Sequence, residues 1–132
     1  MSSTTIDISD LAALNGGYNA SCIDGNTVGN TTVFTNNDTR DFYINEVVCV
    51  LTNVSGLTIL PTVNVGTTPA DYLELVNGYQ FTQLDVVGKF EKPTLVTGAR
   101  KIAFGESIVL RVVTGATATA YSFTCIIRGF YL

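Results

Sequence analysis

The chain has 132 residues, a net charge of −4, and 46% hydrophobic but only 14% charged residues, which suits one domain with a core of its own. Its seven basic residues are scattered, which argues against binding to a nucleic-acid backbone. No apolar run approaches the roughly 20 residues that a membrane-spanning helix needs, and the polar start lacks the features of a signal peptide. We therefore expect a soluble protein that binds neither nucleic acid nor membrane and is made in a cytoplasm.

Residues 1–21 are polar and contain glycine, and we predict that they form an N-terminal arm before a domain of residues 22–132. Within this arm, Ile6, Ile8 and Leu11 are interspersed with polar residues. Such a segment is either a strand that adds to the sheet of a neighbouring subunit or an edge strand of its own domain. We predict that these three side chains are interaction residues.

The first half of the domain predicts three strands. Turn-forming residues surround a short strand at 31–35, and a long apolar strand covers 42–53. The next strand is predicted at 57–65, where Pro61 favours a sheet edge or a bulge because it cannot donate to a ladder. After it, Thr68 and Pro69 suit the cap and first position of a helix, and the segment supports at most one helical turn.

The second half is less regular at first and then predicts the two strongest strands. Residues 81–90 are mixed, and short strands are predicted at 94–96 and from residue 100 into a turn at Gly105. Strands at 107–114 and 121–132 follow, and in each of them alternate apolar residues share one face. These are Ile108, Leu110 and Val112 in the first, and Tyr121, Phe123, Cys125 and Ile127 in the second.

Turn signals recur roughly every 8 to 12 residues, and no helix of normal length is predicted. This pattern is typical of an antiparallel sandwich or barrel. About eight strands favour the jelly-roll type, in which two paired sheets limit the exposed edges. The predicted fold class is therefore an all-β antiparallel β-sandwich of the jelly-roll type.

The sequence contains no histidine. Because imidazole is the commonest general base and metal ligand, this argues against triad catalysis and zinc hydrolase sites. Neither GxxxxGK[ST] nor GxGxxG occurs. Two carboxylate pairs could suit a glycosidase, Asp71 with Glu74 and Asp38 with Asp41, but capping and solvation explain them better. Asp24, Asn26 and Asp38 offer oxygen ligands for calcium, but turn formation explains them better. We predict no enzymatic activity, no cofactor and no metal site.

Three cysteines, Cys22, Cys49 and Cys125, are odd in number and far apart in the sequence. They match neither a disulfide framework nor a CxxC site. Cys49 and Cys125 lie in apolar, strand-like runs, so we predict that both are buried free thiols.

Tyrosine is the aromatic residue best placed for contacts with partners, because its ring offers area and its hydroxyl a polar group. Tyr121 falls in a predicted core position. Tyr72 and Tyr79 lie in the irregular middle of the chain, and we predict that they are surface interaction residues. Subunit contacts are favoured over glycan stacking, since tryptophan is absent.

Three segments carry a resemblance to a known family. They are Leu60-Pro-Thr-Val-Asn-Val-Gly-Thr-Thr-Pro-Ala-Asp-Tyr72, Gly105-Glu-Ser-Ile-Val-Leu-Arg-Val-Val-Thr-Gly-Ala-Thr-Ala-Thr-Ala120 and Ile127-Arg-Gly-Phe-Tyr-Leu132. Over residues 42–132 the chain resembles the small jelly-roll head decoration (cement) proteins of tailed bacteriophages. The resemblance implies a homotrimer that is made in the host cytoplasm, binds the major capsid protein on the outer surface of the virion, and has no catalytic residues.

Two other functions fit the same predicted fold. One is a receptor- or carbohydrate-binding module of a phage fibre or tail, in which loop Tyr, Asn and Asp residues bind a glycan. The other is a minor capsid or shell-forming subunit. The small size of the chain and its lack of a basic internal arm argue against the shell-forming role.

Overall fold

The computed structural model describes residues 20–69, 71–96 and 100–132. These residues form nine strands and no helix. The strands are β1 (Ala20–Asp24), β2 (Gly29–Thr35), β3 (Phe42–Ser55), β4 (Thr62–Gly66), β5 (Val76–Gln80), β6 (Phe90–Glu91), β7 (Arg100–Ile102), β8 (Ser107–Thr114) and β9 (Ala120–Tyr131). Sheet A has the order β1-β9-β3-β6, with β7 also paired to β3, and sheet B has the order β2-β8-β4-β5. The prediction of an all-β antiparallel sandwich is confirmed.

The strands pair in a nested pattern: the first strand pairs with the last, the second with the last but one, and so on inward along the chain. β1 pairs with β9, β2 with β8, β3 with β6 and β7, and β4 with β5, all antiparallel. Pairing of β3 with β9 and of β4 with β8 then joins these strand pairs into the two sheets. As a result, β8 and β9, the two strands with the clearest sequence pattern, lie inside sheets B and A respectively.

The core lies between the two sheets and is built by alternation along the central strands. The inward side chains of β8 and β9 are at most 2% exposed, and they are the ones predicted to share one face of each strand: Ile108, Leu110, Val112, Tyr121, Phe123, Cys125 and Ile127. The ring of Phe123 packs edge-on against that of Phe81, with 5.4 Å between centroids. Burying each large apolar side chain contributes about 1.5–3 kcal/mol, so this layer is the main source of stability.

The prediction of a strand at 57–65 is wrong for the first half of that segment. β4 begins only at Thr62, directly after Pro61, which has no N–H to donate. Ile59 forms an isolated bridge with Thr117 and is 53% exposed. The register of β4 also shifts between Thr62 and Val63, so the irregularity expected near Pro61 is present.

The strand predicted at 94–96 does not form. This segment follows Pro93, and the N–H of Val96 donates to the carbonyl of Leu75 at 2.7 Å. Leu95 is partly buried against the core. Its apolar character therefore reflects packing and not a strand. Conversely, β5 and the two-residue β6 were not predicted, because Asn77 and Gly78 break any strand-like pattern in β5.

The predicted N-terminal interaction residues Ile6, Ile8 and Leu11 lie outside the described residues. β1 starts at Ala20, two positions before the domain boundary predicted at residue 22. No helix long and apolar enough to cross a bilayer occurs in the part of the chain that the structure describes.

Candidate interaction surface

The outward face of sheet A carries a row of cross-strand pairs between β3 and β9. Because the inward side chains of both strands are buried, the alternate residues face away from the core. The register pairs Tyr43 with Phe130, Glu46 with Arg128, Val48 with Ile126, and Val50 with both Thr124 and Phe90. We call the apolar members of this row the outer patch: Tyr43, Val48, Val50, Phe90, Ile126 and Phe130. Within it Phe90 and Phe130 are exposed and Ile126 is buried.

Aromatic rings lie at two positions in the outer patch. The rings of Tyr43 and Phe130 stack with 5.6 Å between centroids and an interplanar angle of 15°. Phe90 is 61% exposed, and the Lys92 ammonium lies 6.0 Å from the centroid of its ring. Large rings that remain in contact with water are typical of surfaces that bury them on association.

The carboxylate of Glu46 lies within the same face and has two cationic neighbours. Glu46 Oε2 is 3.4 Å from Lys92 Nζ and 3.5 Å from Arg128 Nη1. Two positive charges around one negative charge leave the centre of the face with a local charge of +1. An acidic segment of a partner would therefore be complementary to it.

The apolar surface continues around the β6 edge of sheet A. The loop before β6 is hydrogen-bonded to β3, because Gly88 N donates to Leu51 O at 2.9 Å and Leu51 N donates to Lys89 O at 3.0 Å. In this loop Val86 and Val87 are both more than half exposed. Together with Phe90, they place three exposed apolar side chains within five consecutive residues.

The outward face of sheet B is different in chemistry. Its hydroxyl and amide side chains bond to one another and to the guanidinium of Arg111: Thr35 Oγ1 and Ser107 Oγ are 2.8 Å apart, and Arg111 Nη1 donates to Asn30 Oδ1 at 3.0 Å. Asn64 is buried, donates to the carbonyl of Asp71 and accepts from the N–H of Gly78. Polar groups that already satisfy one another gain little from a partner, so sheet A presents the better candidate surface.

Tyr79, one of the two predicted surface tyrosines, is half-buried and takes part in a hydrogen-bond network. Its hydroxyl donates to the Glu91 carboxylate, which also accepts from the N–H groups of Thr82 and Gln83 at 3.0 and 2.9 Å. The bond to Glu91 raises the pKa of Tyr79 to about 12. Burial acts to raise the pKa of Glu91, but the bonds from Tyr79, Gln83 and Thr82 leave it below its ordinary value. Tyr79 therefore has a role in the fold that the sequence did not reveal.

Tyr72, the second predicted tyrosine, lies in the loop between β4 and β5. Its backbone is left-handed, with φ of 50°, which is uncommon for a residue other than glycine. Its N–H donates to the carbonyl of Thr68 at 3.2 Å, and its side chain is half-buried. None of the described hydrogen bonds or aromatic contacts joins Tyr72 to Tyr79, and neither residue belongs to the outer patch.

Several of the acidic side chains considered as catalytic or metal-binding candidates make local structural contacts. Asp24 accepts from the N–H of Asn26 at 2.9 Å and from the hydroxyl of Thr27. Arg40 pairs with Asp38 at 2.8 Å and lowers its pKa to about 2. Glu74 accepts from the N–H of Thr67. No group of three or more acidic or cysteine side chains with the spacing of a metal site occurs within 20–69, 71–96 and 100–132.

Comparison with known proteins yields one structural match. No family model matches the sequence, and no curated protein matches it. The fold is similar to that of a chain in the solved structure described as the cyanophage Pam1 capsid asymmetric unit, with a TM-score of 0.60 and 15% identity. The match covers 88% of this chain and 82% of the other, so the two share the β-sandwich fold over nearly their whole length.

Proposed function

We propose that this chain is a structural protein of a phage virion, and more narrowly a decoration (cement) protein that binds the outer surface of the head. The observation that carries the proposal is the similarity in fold to a chain of the cyanophage Pam1 capsid asymmetric unit. Because it spans 88% of this chain, the similarity involves both sheets. The nested strand pairing further supports a jelly roll, the fold implied by the family resemblance.

The outer patch supports a role in binding to a large assembly. A protein that stabilises a shell must bind the assembled lattice better than its separated parts, by mass-action linkage. Such binding requires a surface that stays in water in the free protein and is buried on assembly. Phe90 and Phe130 are exposed on one sheet face. Its charged groups include Glu46, Lys92 and Arg128, and Lys101 lies opposite Tyr43 on β7, so the face suits contact with another protein surface.

In the same proposal, residues 1–21 act as an arm and the protein forms a homotrimer. The arm leads into β1, whose only strand partner among the described residues is β9, so its other edge is available to a further strand. Ile6, Ile8 and Leu11 are the proposed apolar contacts of the arm. Asp7 and Asp10 between them would complement Lys92 and Arg128 on the sheet A face of a neighbouring copy.

The proposal is tested by mixing the purified protein with undecorated heads assembled from the major capsid protein of the same phage. Cryo-electron microscopy should then show ordered density at repeated positions on the outer surface, with a mass per site that matches a trimer measured by light scattering. Heads that carry no such density would overturn the decoration role. Glycan-array binding that is lost in Tyr72→Ala would instead indicate a receptor-binding module.

A further inference from the structure

Two cysteines that are distant in sequence are directly opposite each other in sheet A. The register of β3 and β9 pairs Cys49 with Cys125, although 76 positions separate them (125 minus 49). Both side chains are on the core side of the sheet, both are fully buried, and both are free thiols. The prediction that they are buried is confirmed; their mutual contact could not be read from the sequence.

The local geometry suits a covalent bond between them. Residues directly opposite on antiparallel strands have Cα atoms about 4.5–5.5 Å apart, and disulfides join Cα atoms about 4.4–6.8 Å apart. The flanking pairs Val47 with Ile127 and Leu51 with Phe123 keep the same register. The cysteine pair therefore lies in a regular stretch, between the two register shifts of the β3·β9 ladder.

We propose that Cys49 and Cys125 form an intrachain disulfide when the protein meets a small-molecule disulfide oxidant. The thiolate of one cysteine attacks the oxidant, which releases one small thiol and leaves a mixed disulfide. The thiolate of the other cysteine then attacks the protein sulfur of that mixed disulfide and releases the second small thiol. The protein loses two hydrogens in total, and the oxidant gains them.

Access to the pair controls the rate of this reaction. Burial raises the pKa of Cys49 well above its ordinary value, and the adjacent Cys125 thiol raises it further, so the reactive thiolate is scarce at neutral pH. We expect slow oxidation of the folded protein and faster oxidation during refolding or at higher pH. In a reducing cytoplasm both thiols would persist. If the protein is a virion protein, as proposed above, it would meet oxidants after release from the cell.

The bond would link the two longest strands of sheet A. A cross-link between residues this far apart in sequence restricts the unfolded chain strongly. The oxidised protein should therefore have a Tm higher than that of the reduced protein by about 5 °C or more, less any strain in the bond.

The test uses the full chain with Cys22→Ser, because Cys22 is exposed and would react by itself. The protein is unfolded, refolded in buffer that contains oxidised and reduced glutathione, and alkylated after a second unfolding. Mass spectrometry should show a loss of about 2 Da and no alkylation, and a proteolytic digest should contain the two cysteine peptides joined. A parallel sample refolded with a strong reductant should carry two alkyl groups.

Two outcomes would overturn the proposal: two alkylated thiols after oxidative refolding, or glutathione adducts alone. Cys49→Ser in the Cys22→Ser background is the matched control, and it should gain only a single adduct. The main measurement changes neither paired cysteine, so it stands even if this control variant fails to fold. Because the readout is mass, it is independent of whether the protein binds a capsid.

Discussion

The hydroxyl of Tyr79 on β5 donates a hydrogen bond to the carboxylate of Glu91 on β6, and so joins an edge strand of sheet B to an edge strand of sheet A. The same carboxylate caps the N–H groups of Thr82 and Gln83 in the loop that follows β5. One acidic side chain thus holds two sheets and a loop together along one side of the sandwich.

Tyr79→Phe removes only the donor of this bond. We expect a loss of about 1 kcal/mol in the free energy of unfolding, which is less than the roughly 1.5–3 kcal/mol of a hydrogen bond to a charged group because the site is partly exposed. Urea denaturation followed by fluorescence measures the change. Tyr43→Phe is the matched control, since none of the described hydrogen bonds involves its hydroxyl, and an equal loss in both variants would contradict the assigned role.

Glu91 should contribute to the pH dependence of stability. Its pKa is lower in the folded protein than its ordinary value of 4.5. The unfolded state therefore binds the proton more tightly, and the contribution of Glu91 is present above about pH 4.5 and is lost as the pH falls through the folded pKa. We expect the urea midpoint of Glu91→Gln to fall less between pH 6 and pH 3 than that of the wild type.

Asp38→Asn provides the comparison for this experiment. The pKa of Asp38 is also lowered, to about 2, by Arg40, but the pair is exposed, so salt should screen its effect. In 1 M salt the urea midpoint of Asp38→Asn should therefore depend on pH in the same way as that of the wild type. If the urea midpoint of Glu91→Gln also followed the wild type between pH 6 and pH 3, Glu91 would not contribute to the pH dependence of stability.

Phe90→Ser should separate binding from stability. The side chain is 61% exposed, so we expect its loss to change the free energy of unfolding by less than about 0.5 kcal/mol. Binding to the partner that covers the outer patch should fall at least tenfold, measured by co-sedimentation with heads. Phe104→Ser is the control, because Phe104 is 62% exposed outside the outer patch; a similar loss of binding there would show that the outer patch has no special role.

Gly129→Ala should destabilise the fold strongly. A Cβ at this position would lie 2.1 Å from the backbone oxygen of Tyr43 and 2.6 Å from the ring of Phe42. The β3·β9 pair would have to separate to admit it, and overpacking of this kind costs about 1–3 kcal/mol. Gly29→Ala is the matched control in another strand, since no atom lies within 4 Å of its added Cβ. Thermal unfolding of both variants tests the difference.

The sequence revealed the strands whose alternation is long and uninterrupted. β8 was predicted with its observed bounds and β9 within one residue, because an inner strand with one face against the core must alternate. β5 was missed because its stability comes from pairing with β4 and from the contacts of Tyr79 and Asn64. No local pattern records contacts of that kind.

The outer patch depends on register, which the sequence did not supply. That Tyr43 and Phe130 stack follows only from the pairing of β3 with β9. The same applies to Cys49 and Cys125. Each of these pairs spans more than 70 positions, and a one-residue slip would turn every side chain of a strand to the other face.

The nested pairing of early with late strands also sets the order in which the chain can fold during synthesis. β9 fills the gap between β1 and β3, and β8 fills the gap between β2 and β4. Until the ribosome has released these two strands, β1 and β2 lack the partners that they have among the described residues, and β3 can pair only with β6 and β7. Folding that waits for such distant contacts is slow, and the unpaired apolar strands of an incomplete chain are prone to aggregate.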